Sequence, residues 1–450
     1  YPRVTMIEQF ILDNQLNAMR LIGRKVGADR SADRAISVHN PFTEMQIGTV
    51  PKATLEEVRQ TYAAMHAYRP QLTRFERAAI LNRAADIAKR RQDEVAKLIS
   101  AEAGLCIKDA LYEAGRVSDV FLFGANEVLK DDGQIFSCDL THHGKKRRVF
   151  TQRSPLLGVI TAITPFNHPM NQVAHKVVPS VATNNRMVLK PSEKVPFSAI
   201  LLADFLYEAG LPPEMLSVIT GDPREIADEL LTNAHVDLIT FTGGVSIGKY
   251  IASKAGYRRM VLELGGNDPI IVMEDADIDE ASTLAVQGSY KNSGQRCTAI
   301  KRMLVHESVA NEFVEQVVEK TRAWTYGDPS DPALDMGTVI DEAAAQLFEA
   351  RVNEAVAQGA KLLVGNVRRG ALYSPTYGLS SAVCTNRLDY ITRFVSELEV
   401  GTVNVREVPG YRLELTPFGG IKDSGLGYKE GVQEAIKSFT NIKTYSLPWA

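Results

Sequence analysis

Val236-Asp237-Leu238-Ile239-Thr240-Phe241-Thr242-Gly243-Gly244-Val245-Ser246-Ile247-Gly248 decides how this chain is read. A short apolar run ends at a glycine pair, and a helix opens directly after it. Glycines at such a turn allow close backbone approach, and the helix N-terminus offers free N–H groups to a phosphate. The spacing is not G-x-G-x-x-G, so on spacing alone a plain strand-to-helix turn fits equally well.

Working outward, the same character recurs. Short apolar runs at 157–164, 186–190, 216–220 and 269–273 alternate with helical segments. That alternation predicts an α/β fold with a parallel sheet covered on both faces. Ligands of such sheets bind outside the carboxyl ends of the strands. The residues to examine are therefore the polar ones that end the runs: Asn167-His168, Lys190-Pro191-Ser192-Glu193, Gly221-Asp222 and Thr242-Gly243-Gly244.

Upstream, 1–35 carries no firm signal, and 47–51 reads as a short strand ending at proline. Thr54-Leu55-Glu56-Glu57 is a helix start with a capping box. Apolar residues at helical spacing follow over 78–100 and again over 108–129. Asp131-Asp132-Gly133 breaks the second pattern. The alternation over 134–154, with the basic run Lys145-Lys146-Arg147-Arg148, suits an exposed hairpin, and 438–447 reads as a final strand.

The chain has 450 residues, 45% hydrophobic and 23% charged, which is too long for one core. Net charge is −3 from 51 basic and 54 acidic residues, so no basic face argues for nucleic acid. No apolar run reaches membrane-spanning length. Four cysteines (Cys106, Cys138, Cys297, Cys384) in such a length make no disulfide framework, which points to a reducing, cytoplasmic setting. The chain begins at Tyr1 without a methionine, so a trimmed start is expected.

Three stretches carry the chemistry. Asn292-Ser293-Gly294-Gln295-Arg296-Cys297-Thr298-Ala299 places a cysteine beside a cation, and a cation favours the reactive thiolate; alone, a buried cysteine in a turn explains it as well. Leu262-Glu263-Leu264-Gly265-Gly266-Asn267 puts a lone carboxylate in an apolar run, where burial raises its pKa towards that of a general base. In Pro165-Phe166-Asn167-His168-Pro169 an amide at a strand end can donate to a developing oxyanion, unless it is only a turn residue.

The ordered set F-N-x-P, K-P-S-E, F-T-G-x-x-x-x-G, L-E-L-G-G and G-Q-R-C-T resembles the NAD(P)-dependent aldehyde dehydrogenase superfamily over essentially the whole chain. The resemblance implies a Rossmann-like cofactor domain (1–130 and 155–262), an α/β catalytic domain (263–436) and a small β oligomerisation element (131–154 and 437–450). It implies Cys297 as nucleophile, Asn167 with the Cys297 N–H as oxyanion hole, and Glu263 as the base that activates water. Relatives that pass the acyl group to coenzyme A lack that glutamate, so a free acid is the expected product. It assigns Lys190, Ser192, Glu193, Gly221, Thr242, Gly243, Ser246, Leu264 and Gly265 to the cofactor, with NAD favoured over NADP by the acidic Glu193. No metal is implied, and a homodimer or homotetramer is.

Within the superfamily the chain is most similar to the phosphonoacetaldehyde branch, near the non-phosphorylating glyceraldehyde-3-phosphate and lactaldehyde branches. Arg116, His168, Arg296, Thr298 and Arg412 then form the expected substrate pocket for a small anionic aldehyde, since Arg forks suit phosphonate oxygens. Two departures stand out. The family's E-E-x-F-G-P motif, whose second glutamate holds the nicotinamide ribose, is expected between Thr376 and Tyr377, which here are adjacent. Arg406 stands where an aromatic residue is expected. A catalytically silent relative that keeps the fold is the reading from a different class.

Overall fold

A computed structural model describes residues 5–130, 133–364, 377–427 and 429–449. The 376/377 junction, where the ribose-binding motif is expected, falls at the edge of a stretch outside the described residues.

The run that opened the reading forms the strand Val236–Thr242, near the middle of an eight-stranded sheet. Its parallel neighbours are Val159–Ile163 on one side and Arg259–Glu263 on the other. Met187–Lys190 and Leu216–Val218 continue the parallel set. Alternate side chains on each strand go to opposite faces. Met187 and Leu189 enter one apolar cluster, against the helices Arg74–Arg90, Ile107–Val128 and Asn171–Ala182. Val188 enters the other, with Tyr62 and Ile226. Each fully buried Val, Leu or Ile contributes about 1.5–3 kcal/mol, so burial on both faces makes this sheet a rigid platform for its carboxyl edge.

Three expectations change. The run at 269–273 forms Asp268–Val272, but it belongs to a second parallel sheet with Ile300–Val305, Ser380–Cys384 and Thr402–Val405. Gly265-Gly266 is where the chain leaves one sheet for the other. The first sheet also has antiparallel flanks: Met19–Leu21 with Arg24–Val26 at one edge and Gly425–Gly427 at the other. The last of these lies within the 263–436 segment, so that segment returns to the first sheet before it ends. The helical pattern over 78–100 is two helices, Arg74–Arg90 and Gln92–Ala103, separated at Arg91.

The exposed hairpin is present as Ile135–Ser137 against Arg147–Pro155. The terminal strand Thr440–Pro448 pairs along the whole of Arg147–Pro155 and leaves its own outer edge open.

Candidate active site

Cys297 sits in a tight loop between the helix Ile278–Tyr290 and the strand Ile300–Val305. The approach to it is strained: Asn292 (φ 53°) and Ser293 (φ 54°) are both left-handed, followed by Gly294 at 70°. A left-handed non-glycine residue costs about 1–2 kcal/mol, so neighbours must hold it. Asp109 accepts from the Asn292 N–H at 2.9 Å, and Ser293 Oγ donates to the Thr338 carbonyl at 3.0 Å. Gln295 Oε1 accepts from the Ile340 N–H at 2.9 Å. The loop is thus pinned on either side of the bend.

The Asn167 turn docks onto this loop. Asn167 Nδ2 donates to the Gln295 carbonyl at 2.8 Å, two residues before Cys297. In return Asn292 Nδ2 donates to the Asn167 carbonyl at 3.2 Å. His168 is placed differently from the sequence expectation. Its ring lies 3.1 Å from the Glu113 carboxylate and against the Asn292 amide, so its polar atoms face the scaffold rather than Arg296. Glu113 also accepts from the Met170 and Asn171 N–H groups at 3.0 Å and so fixes the start of the helix Asn171–Ala182.

The thiol departs from the simple expectation of an activating cation. Burial, and after it the Asp268 carboxylate, raise the Cys297 pKa, while Lys301, Arg412 and Arg296 pull against them. The surroundings therefore set a balance rather than a permanently ionised thiolate. Glu263 ends its strand almost fully buried, with Oε2 lacking a partner among the described residues. Burial, and after it the Glu430 carboxylate, hold it well above the ordinary value. Glu430 is itself paired with Lys176 at 2.5 Å and accepts from Thr242 Oγ1 at 3.1 Å. A Cβ added to Gly419 would come 2.3 Å from Glu263 Oε1, so only glycine lets that backbone pass the carboxylate.

The three arginines expected to gather are not equivalent. Arg116 is bound to Glu414, which also takes His175 and lies 3.7 Å from Arg412. Burial opposes ionisation of Glu414, but His175, Arg412 and Arg116 together hold its pKa well below the usual range. Arg412 lies 4.2 Å over the Phe418 ring, and its Nη1 is buried without a partner among the described residues. Arg296 makes no side-chain hydrogen bond or ion pair among the described residues. Desolvation depresses its pKa, against the opposing pull of Cys297 and Asp109. Its Nη2 and the Thr298 hydroxyl both reach Gly410, where an added Cβ would meet each at 2.4 Å. Arg406 is outside this group: it pairs with Glu280 at 2.8 Å.

The cofactor candidates lie along the carboxyl edge of the first sheet. Lys190 pairs with Glu193 at 3.0 Å. Burial opposes it, yet Lys190 holds the Glu193 pKa below the ordinary value. Ser192 Oγ accepts from the Lys194 N–H at 3.3 Å, and Gly221 is packed on Ile226. The helix Val245–Ala255 starts at Gly244 without a side-chain cap, and a Cβ on Gly244 would meet nothing within 4 Å. Uncapped N–H groups facing open space, with Gly243 before and Ser246 just after, suit a pyrophosphate. Leu264 and Gly265 continue the edge towards Glu263, so these residues fit a bound dinucleotide.

Sequence reasoning missed Gly410, Glu414, Glu430, Asp268 and Lys301. Only Lys301 carried a local signal, as a lysine in the apolar start of a strand.

The description "Aldehyde dehydrogenase family" matches residues 28–376 and 374–445, two pieces that meet at the junction where the motif is missing. A 3-sulfolactaldehyde dehydrogenase of Priestia aryabhattai is 35% identical over 92% of this chain and 94% of its own length. A sulfoacetaldehyde dehydrogenase of Neptuniibacter caesariensis is 33% identical over 91% and 98%. A crystal structure of glyceraldehyde-3-phosphate dehydrogenase from Methanocaldococcus jannaschii, complexed with NADP, superposes with a TM-score of 0.87 at 32% identity. It covers 93% of this chain and 100% of that one.

Proposed function

This chain belongs to the aldehyde dehydrogenase family, and from that premise we propose that it oxidises a small aldehyde bearing a phosphonate, sulfonate or phosphate to the free acid. Phosphonoacetaldehyde, giving phosphonoacetate, is the substrate we favour. 3-Sulfolactaldehyde, sulfoacetaldehyde and glyceraldehyde 3-phosphate are the anionic alternatives, in keeping with the names of the relatives above, and lactaldehyde is the alternative that carries no anion. One observation supports the reading: Arg296, adjacent to Cys297, is half-buried and makes no ion pair among the described residues. A partly desolvated guanidinium without a partner is costly, and an anionic substrate would repay that cost. Arg412 Nη1 and Thr298 complete the pocket, whereas Arg116 is taken up by Glu414 and holds the scaffold.

In this reading the Cys297 sulfur adds to the aldehyde carbon. The carbonyl electrons move onto oxygen, where Asn167 Nδ2 and the Cys297 N–H stabilise them. A nicotinamide dinucleotide held along the sheet edge would supply the acceptor for the hydride that leaves this carbon, so that Cys297 is left as a thioester. Glu263 then takes a proton from a water whose oxygen adds to the acyl carbon. The C–S bond breaks, and Cys297 departs as thiolate. A raised Glu263 pKa suits a base that must accept this proton near neutrality.

The family uses NAD or NADP. We favour NAD, because a ribose 2′-phosphate would face the Glu193 carboxylate. A homo-oligomer is proposed from the open, exposed edge of Thr440–Pro448, in a cytoplasmic setting that suits four free cysteines. Measuring kcat/KM for phosphonoacetaldehyde, sulfoacetaldehyde and glyceraldehyde 3-phosphate tests the substrate. A lead of about tenfold for the phosphonate supports it, and the same lead for either other compound reassigns it.

A further inference from the structure

Lys301 belongs to none of the roles described so far, yet its half-buried side chain places the ammonium against the backbone of the nucleophile loop. Its Nζ donates to three carbonyls of that loop: Arg296 at 3.3 Å, Cys297 at 3.1 Å and Ala299 at 3.1 Å. These carbonyls turn inward to one point, an arrangement their dipoles oppose unless a cation sits there. All three ammonium hydrogens are engaged. Among the described residues no carboxylate comes within ion-pair distance of Nζ, so the charge stays directed at the loop.

The strand is built to aim it. Asp268 pairs with Ile300 and Pro269 with Arg302, which leaves Lys301 as the extra residue of a β-bulge. A bulge re-aims one side chain relative to the regular ladder. Here it turns Lys301 back beneath the residues that precede it. Asp268, at the same point of the partner strand, faces the loop across Gly266: a Cβ there would meet Asp268 Oδ1 at 2.7 Å and the Cys297 carbonyl at 2.6 Å.

The consequence follows from peptide geometry. The Arg296–Cys297 bond is trans, since there is no cis peptide among the described residues, so its C=O and N–H point in opposite directions. The Arg296 carbonyl is held from below by Lys301 and by the Ala299 N–H at 3.2 Å. The Cys297 N–H is then presented on the opposite side. We propose that Lys301 is a positioning residue that fixes the Cys297 N–H as an oxyanion donor and supplies the nearest positive charge to the nucleophile loop. The proposal rests on the reading of Cys297 as nucleophile.

The test uses the full-length protein with Lys301→Met and Lys301→Arg. Carboxamidomethylation of Cys297 by iodoacetamide is followed against pH by mass spectrometry of its peptide, beside steady-state kinetics. Lys301→Met is expected to move the alkylation midpoint upward by about one pH unit. It should lower kcat about 10- to 100-fold with KM within about threefold, a partial loss of one oxyanion donor. Lys301→Arg, which keeps the charge, should restore the midpoint. An unchanged midpoint and a kcat within about twofold of the parent overturn the proposal, as does a lowered melting temperature with neither change. If Lys301→Met is insoluble, Lys301→Gln is read by the same criteria. Cys297→Ser separates the two levels: full activity in that variant refutes the nucleophile itself, whereas an inactive Cys297→Ser beside a normal Lys301→Met refutes only the role of Lys301.

Discussion

Arg116 donates its Nε–H to the buried carboxylate of Glu414, a residue 298 positions further along the chain. That pairing sorts the arginines of the pocket. Arg116 is neutralised, Arg412 shares the same carboxylate at 3.7 Å, and Arg296 makes no ion pair among the described residues. Arg296→Ala should therefore raise KM for an anionic aldehyde about 10- to 100-fold, from the about 1.5–3 kcal/mol of a hydrogen bond to a charged group. KM for a neutral aldehyde should stay within about twofold. Arg116→Ala should act mainly on stability, lowering it by about 1–3 kcal/mol in urea unfolding because Glu414 loses a partner. If Arg116→Ala shows the larger KM effect, the assignment is reversed.

Gly410 is the notch into which Arg296 and Thr298 fit. Gly410→Ala places a methyl group where both polar atoms now lie, at 2.4 Å in each case. The Arg296 guanidinium must move by an ångström or more. We expect KM for the anionic substrate to rise about tenfold, with the melting temperature changed by less than about 3 °C. Substrate titrations beside thermal melts check this, and an unchanged KM removes Gly410 from the pocket.

Glu263 should separate the two halves of the reaction. With Glu263→Gln, reduced cofactor should appear in a burst of about one equivalent per active site and then stop, because the thioester is formed but not hydrolysed. The sign of the pH dependence follows from the raised pKa. The base works only when ionised, so kcat should climb with pH through a midpoint well above the ordinary carboxylate range. Steady turnover by Glu263→Gln at the parental rate excludes Glu263 as the base.

Much of this was legible from residue order, for identifiable reasons. The runs around Val236–Thr242 and Met187–Lys190 are apolar because both faces of their sheet are buried, and their flanking glycines and prolines mark the ends. Glu263 stood out as a lone charge in such a run. Sheet membership was not legible: 269–273 looks like the other runs, and only pairing with Ile300–Val305 places it in the second sheet. Gly425–Gly427 pairs through backbone alone and has no strand-like composition. Arg116 and Glu414, like Lys176 and Glu430, are partners from distant segments, so their mutual neutralisation exists only in the folded chain. Lys301 is visible as a lysine in an apolar run, but its aim depends on a one-residue shift of register, which composition cannot encode.

Cofactor choice turns on Glu193. In the structure its carboxylate pairs with Lys190 at 3.0 Å, so a lysine and an acid share the site where a ribose would lie. Glu193→Ala should lower kcat/KM for NAD about tenfold, the loss of a hydrogen bond to a charged acceptor. It should raise kcat/KM for NADP, by freeing Lys190 for the 2′-phosphate. Parallel titrations with the two cofactors decide this; a parent enzyme that already prefers NADP would overturn the assignment of NAD.

In the proposed reaction Cys297 and Arg296 act together, one on the aldehyde and the other on the anion attached to it. The sharpest measurement is kcat/KM for phosphonoacetaldehyde against propanal, in the parent enzyme and in Arg296→Ala, with Cys297→Ser as the blank. A preference of about 100-fold for the anion is expected, within the range of about 1.5–3 kcal/mol for a charged hydrogen bond. This preference should fall to a few-fold in Arg296→Ala, and Cys297→Ser should be inactive on both substrates. Equal kcat/KM for the two aldehydes in the parent, or a preference that survives Arg296→Ala intact, would contradict this joint action.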